Sequence, residues 1–290
     1  MLAPVSRGAS DVPHVRVVQC NILHGGWPYQ IRGKQLFIQG PQGEEKEENG
    51  FTKLSYPPDR PATGDPGSEF ARQMAQSVQP DVIGMQEVES RDAGRLTQLL
   101  GPNWRNVAPL DGHAASCIFW NSATVTPSGD REVVPIQNYH DPELHTTTLI
   151  RVLKQVFVHL GSQKRFAMVT GKSWYRGSQE DRRLRATNTR NIARKGGLTA
   201  VAALDMSPPG SPAFLAMRPF VAKGTQPTCP TGIFKDRLLP NKKPAPYLRS
   251  DHIFYYSPLL DAQSNGIIQC NTGPFFGSDH LYVWADVLLP

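Results

Sequence analysis

Four short runs constrain this chain more than any other feature. They are Val15–Leu23 (VRVVQCNIL), Pro80–Val88 (PDVIGMQEV), Arg249–Tyr256 (RSDHIFYY) and Gly277–Ala285 (GSDHLYVWA). Each is rich in β-branched and aromatic residues, as buried strands are, and each ends in or surrounds a polar residue. Those polar residues are Asn21, Glu87, Asp251 and the Asp279–His280 pair. Strand-like and helix-like segments alternate along the chain, which favours a layered α/β architecture.

The 290 residues suffice for one large domain, and we expect residues 1–290 to form a single unit. No apolar run reaches the roughly 18–20 residues a membrane span needs. The N-terminus has no apolar signal-peptide core, so the sequence reads as soluble, cytoplasmic or organellar. Cys20, Cys117, Cys229 and Cys270 show no CxxC spacing, against a zinc site; Cys229 and Cys270 are a possible but unrequired pair. Residues 27–66 are rich in Pro, Gly and polar groups and read as a long surface insertion. Helices are expected from Ser68 to Val78 and from Ser90, each serine acting as a cap, and from Ser178 to Lys195 with Ser178 and Asp181 as a capping box. Further strands are expected at 116–120, 147–159, 165–170, 198–204, 252–256 and 281–289.

In their order, the four runs resemble the endonuclease/exonuclease/phosphatase family, the DNase I-like phosphodiesterases. The resemblance runs from about Val15 to Leu289. It implies a four-layer α/β/β/α sandwich of two mostly antiparallel sheets, with the site on one rim. It also implies a hard cation, Mg²⁺ or Mn²⁺, held by oxygen ligands. On this resemblance Glu87 is the metal ligand, and Asn21 orients the metal or the substrate phosphate. Asp279 holds His280 or lies close to the metal, and His280 moves protons or stabilises charge on phosphorus. Asp251 supports the site.

Two family strings are altered. Where the family has Thr-His-Leu, this chain reads RFAMVTGKSW, which puts Lys172 at the phosphate-contacting position. Lysine still donates to phosphate as a point charge. Where the family has Gly-Asp-Phe-Asn, the chain reads AALDMSPPGSPAF. One alignment makes Asp205 the water-activating carboxylate, with Met206 and Ser207 replacing Phe and Asn. The other puts Leu204 and Met206 at the two catalytic positions. Loss of that carboxylate would cost on the order of 10²–10⁴-fold in rate.

The helix at 178–195 carries Arg182, Arg183, Arg185, Arg190, Arg194 and Lys195, just after Trp174 and Tyr175. With a formal net charge of +6, it suggests either a phosphate-backbone track with an aromatic stacking on a base, or a solvated helix face. Two functional readings follow. One is a Mg²⁺-dependent phosphodiester hydrolase acting on nucleic acid or another phosphate-containing substrate. The other is an impaired or repurposed relative, a pseudoenzyme serving as an RNA- or protein-binding or assembly subunit.

Overall fold

The computed structural model describes residues 12–32, 35–40, 43–46, 63–111, 115–141, 145–172, 177–224, 228, 249–260, 266–274, 276, 278 and 280–290. Strand β1 (His14–Asn21) leads into a 3₁₀ turn at Leu23–Gly26 and then into four short strands: β2 (Tyr29–Arg32), β3 (Gln35–Gly40), β4 (Gly43–Lys46) and β5 (Thr63–Gly64). Helix α1 (Pro66–Gln73) ends in a π turn (Met74–Val78), followed by β6 (Val82–Gln86), α2 (Ser90–Leu100), β7 (Trp104–Leu110), β8 (Ser116–Asn121) and β9 (Val125–Pro127). Next come β10 (Glu132–Asp141), β11 (Thr146–His159), β12 (Arg165–Lys172), α3 (Gln179–Arg194), β13 (Thr199–Asp205) and α4 (Pro212–Ala216). Strands β14 (Val221–Ala222), β15 (Asp251–Tyr256), β16 (Ile267–Thr272) and β17 (Val283–Leu288) close the chain.

Two sheets make the body, ordered β16-β17-β1-β6-β8-β7 and β10-β11-β12-β13-β15-β14. Neighbours pair antiparallel except β1 with β6 and β12 with β13. The two-residue period of a strand sorts the side chains into layers. Val15, Val17, Val82, Phe166, Met168, Val201, Ala203, Ile253 and Tyr255 fill the space between the sheets. Val18, Cys20, Ile83 and Met85 face outward onto Phe70, Met74 and Leu96 of the first helices. Ala167, Val169, Ala200, Ala202 and Phe254 face outward onto Ala186, Ala193 and Ala213. The result is the expected α/β/β/α sandwich. No helix among the described residues is long and apolar enough to cross a membrane.

Several local expectations change. The 27–66 segment contains a four-stranded antiparallel sheet, ordered β4-β3-β2-β5, not a plain loop. Its Pro/Gly content masks the runs YQIR and QLFIQG, and Tyr29 and Ile38 are buried. Its base is tied to the body: Arg95 donates to Gly26 O (2.7 Å) and Asp65 Oδ1 (2.8 Å), and Trp27 Nε1 to Asp92 (2.6 Å). Asp65, not Ser68, caps α1, because its carboxylate reaches back to both the Ser68 N–H (3.0 Å) and the hydroxyl (2.7 Å). Glu89, not Ser90, is the N-cap of α2, with its N–H on Asp92 Oδ2 at 3.0 Å. The Ser178–Asp181 capping box at α3 is present. Cys270 is a free thiol, and Cys229 lies outside the described residues.

Candidate functional site

The period that builds the core also builds a polar cluster at one end of it. Continuing inward on β1 past Val15 and Val17 come Gln19 and Asn21; on β6, Gln86 follows Val82 and Gly84. On β12, Thr170 and Lys172 follow Phe166 and Met168; on β13, Asp205 follows Ala203; on β15, Asp251 precedes Ile253. Register then aligns Lys172 with Asp205, and Asp205 with Asp251, across three adjacent strands. Leu204 and Met206 point the other way, into the outer layer under α3 and α4. The alignment that puts those two at catalytic positions therefore has no counterpart at this cluster.

Glu87 arrives differently. Alternation from Gln86 would turn it outward, but its backbone is left-handed (φ 61°), which is uncommon for a residue with a Cβ. That turn is held by Glu87 N on Ala115 O (2.9 Å) and by Gly25 N on Glu87 O (2.8 Å). The carboxylate swings onto the rim. Asn21 Nδ2 then bridges the two sheets, donating to Glu87 Oε1 (3.2 Å) and to Asp205 Oδ2 (3.1 Å). Lys172 Nζ lies 2.5 Å from the same Glu87 oxygen and 3.9 Å from Asp205 Oδ2.

His280 Nδ1 meets Asp251 Oδ2 at 2.8 Å. A carboxylate only accepts, so Nδ1 carries the proton and a neutral ring leaves Nε2 as acceptor. This places Asp251 at the Nδ1 nitrogen of His280; Asp279 lies outside the described residues, as does Trp174. Asp251 also accepts from Gln19 Nε2 (2.9 Å, on Oδ1) and from Ser250 Oγ (3.0 Å). Thr228 Oγ1 receives the backbone N–H groups of Ser250 and Asp251, both at 3.1 Å. Gln19 Nε2 donates to Gln86 Oε1 (2.7 Å), and Gln86 Nε2 to Thr170 Oγ1 (2.9 Å), so a buried amide chain connects the two sheets. Ser278 Oγ ties the His280 loop to β1, donating to Asn21 O at 3.0 Å.

Electrostatics follow from burial and neighbours. Burial raises the Asp205 carboxyl to about 6, opposed by His280 and Lys172 and reinforced by Asp251 and Glu87. Burial also pushes Asp251 up, but the charge of His280 and the hydrogen bonds from it, Thr228 and Gln19 bring it below the ordinary value. Asp205, Asp251 and His280 offer ligand atoms all within 4.8 Å of one another. Asp251 and His280 are engaged with each other, and Glu87, held by Lys172 and Asn21, adds a further carboxylate beside Asp205. The buried Asn21 Oδ1, on the same amide that donates to both, has no hydrogen-bond partner. Two carboxylates and an orphaned amide oxygen suit a divalent ion of the Mg²⁺ type.

The remaining expected residues lie on α3 and just past the end of β13. Arg182 lies in the first turn of α3 and its Nε donates to Ser178 O (3.4 Å). Arg183 pairs with Glu180, and the buried Arg185 stacks on Tyr139. Arg190 donates to the carbonyls of Ala216 and Arg218, and Arg194 covers the Tyr256 ring. Much of this basic helix is thus engaged within the fold, and α3 runs from the Lys172 end of β12 toward the start of β13, away from the rim. Ser207 is half-buried next to the site strand. Gln19, Gln86, Thr170, Thr228, Ser250 and Ser278 were not singled out from sequence. The readable signal for two of them is spacing: Gln19 and Thr170 stand two residues before Asn21 and Lys172 in otherwise apolar strands.

A family model described as the endonuclease/exonuclease/phosphatase family matches residues 18–280. A search of curated proteins finds no match. Among solved structures, an endonuclease/exonuclease/phosphatase from Bacteroides vulgatus aligns at 16% identity and TM-score 0.64, covering 96% of this chain and 100% of that one. D. rerio TDP2 complexed with a single-strand DNA product aligns at 11% and 0.60, covering 94% and 98%. A mannosyl-6-phosphatase from Bacteroides thetaiotaomicron aligns at 12% and 0.55, covering 77% and 90%.

Proposed function

The chain belongs to the endonuclease/exonuclease/phosphatase family, and from that premise we propose that it is a divalent-metal-dependent phosphoester hydrolase, either a nuclease or an enzyme of small phosphate esters. The observation that carries this reading is the Asn21 amide. It holds Glu87 and Asp205 from opposite sheets together and leaves its own oxygen unpartnered beside them.

In this reading Glu87 and Asn21 Oδ1 would hold Mg²⁺ or Mn²⁺, with Asp279 as a further ligand. When bound, such an ion would draw charge from the phosphoryl oxygens. Asp205, beside that position, accepts a proton from water. His280, kept in one tautomer by Asp251, presents Nε2; when protonated it donates to a developing phosphoryl or leaving-group oxygen. Lys172 supplies a positive charge to the phosphate, and Ser207 replaces a positioning asparagine in the alignment that makes Asp205 the water-activating residue.

The Lys172–Glu87 contact at 2.5 Å is the specific observation behind a second reading. There the lysine neutralises the metal ligand, and the chain is a catalytically impaired binding or assembly subunit. Calorimetry with Mg²⁺ or Mn²⁺ on the wild type and Glu87→Ala, with hydrolysis of a generic phosphodiester and phosphomonoester in the same samples, separates the two. The hydrolase reading predicts binding and turnover that both vanish in the variant. A wild type that binds no divalent ion favours the second.

A further inference from the structure

The ammonium of Lys172 stands where the proposed metal would meet Glu87, so this inference rests on the metal-dependent reading above. Oε1 of Glu87 accepts from Lys172 Nζ at 2.5 Å and from Asn21 Nδ2 at 3.2 Å. One oxygen cannot serve an ammonium and a divalent ion together, because the two cations would lie within a few ångströms of each other. The lysine's place is set by the fold. It is the inward residue at the end of β12, in register with Asp205, while the left-handed backbone of Glu87 aims that carboxylate at it. It is also able to leave. Its side chain is 21% exposed, and a four-carbon stem lets the ammonium swing without moving the strand.

We propose that Lys172 is a tethered competitor for the metal position at Glu87: divalent-ion binding displaces its ammonium, and the displaced ammonium is taken up by an anionic phosphate group. Two consequences follow. Metal affinity in the absence of an anion is held down by the Lys172–Glu87 contact. An oxyanion that captures the released ammonium tightens metal binding, and by linkage the metal tightens the oxyanion equally. The residue that replaces a phosphate-contacting histidine would then couple the two binding events.

The test is Mn²⁺ calorimetry on the wild type and Lys172→Met, in chloride and in sulfate buffers of equal ionic strength, with sulfate as the oxyanion probe. Losing a charge-assisted contact corresponds to roughly tenfold, so Lys172→Met should bind Mn²⁺ about tenfold more tightly than wild type in chloride. Sulfate should tighten Mn²⁺ binding to the wild type but not to the variant. Equal Mn²⁺ affinities, or equal sulfate effects, would overturn the proposal while leaving the metal site intact. Absence of Mn²⁺ binding in both proteins would overturn the metal reading and this proposal with it. Thermal melts monitor folding, and Lys172→Gln, which keeps a polar stem, gives the same comparison if the methionine variant does not fold.

Discussion

At Asp205 a carboxylate ends a strand whose seven residues are all buried, and its carboxyl is raised from 3.8 to about 6 by burial, with Asp251 and Glu87 adding to it. Between about pH 4 and 6 the folded chain therefore binds more protons at this position than the unfolded chain. The contribution of this carboxyl to stability falls as pH rises through that window. Asp205→Asn removes the penalty, so its thermal stability relative to wild type should climb across pH 4–6 by up to about 3 kcal/mol and then level off. A flat difference would show that Asp205 titrates normally.

Gln19 offers a second residue-scale test, since it is one of the donors that hold Asp251 under His280. Gln19→Leu leaves Asp251 Oδ1 without that donor and should cost about 1–3 kcal/mol of stability. It should lower kcat on the order of tenfold or more with little change in KM, because the loss is of positioning, not of substrate contact. Unchanged kcat would remove Gln19 from the account. The sequence shows Gln19 only as a polar interruption in VVQCN; its partner Asp251 lies 232 residues away. Such a pairing is invisible until the sheets are packed.

Among the elements, β1, β6, β12, β13 and β15 are legible because their inward and outward faces are both buried, which gives near-continuous apolar runs. Strand β10 is not, since Pro135 and a register shift between Pro135 and Gln137 interrupt its pattern. Glu87 was legible as a residue but not as a direction, because alternation gives the wrong face and a left-handed turn corrects it. The close approach of the sheets is set by Gly84, where a Cβ would meet Ala203 Cβ at 2.7 Å and Thr170 Oγ1 at 2.9 Å. Gly84→Ala should therefore destabilise by about 1–3 kcal/mol through overpacking, measured by denaturant unfolding. No change in midpoint would mean the sheets separate freely at this point. On the other side of β1, the fully buried Arg16 pairs with Asp286 at 2.6 and 2.8 Å. Asp286→Asn, which strands that guanidinium, should cost about 3–5 kcal/mol.

At the scale of the whole molecule, the α/β/β/α sandwich brings six residues from six separate stretches of chain to one rim: Asn21, Glu87, Lys172, Asp205, Asp251 and His280. Sequence placed each of these near the site through family resemblance, and the alternation of buried strands supplies the physical reason for four of the six, Asn21, Lys172, Asp205 and Asp251. The net charge of +6 has less bearing on function than composition suggests. Arg16, Arg185, Arg190 and Arg194 are spent on carboxylates, rings and carbonyls inside the fold. The central claim is that this rim is a divalent-metal centre anchored by Glu87. Anomalous scattering from Mn²⁺-soaked crystals tests it most directly. The account predicts a Mn²⁺ peak at coordination distance, about 2.1 Å, from a Glu87 carboxylate oxygen, with the Lys172 ammonium moved off that carboxylate. A peak elsewhere, or Lys172 still seated on Glu87 with no peak beside it, would contradict the account.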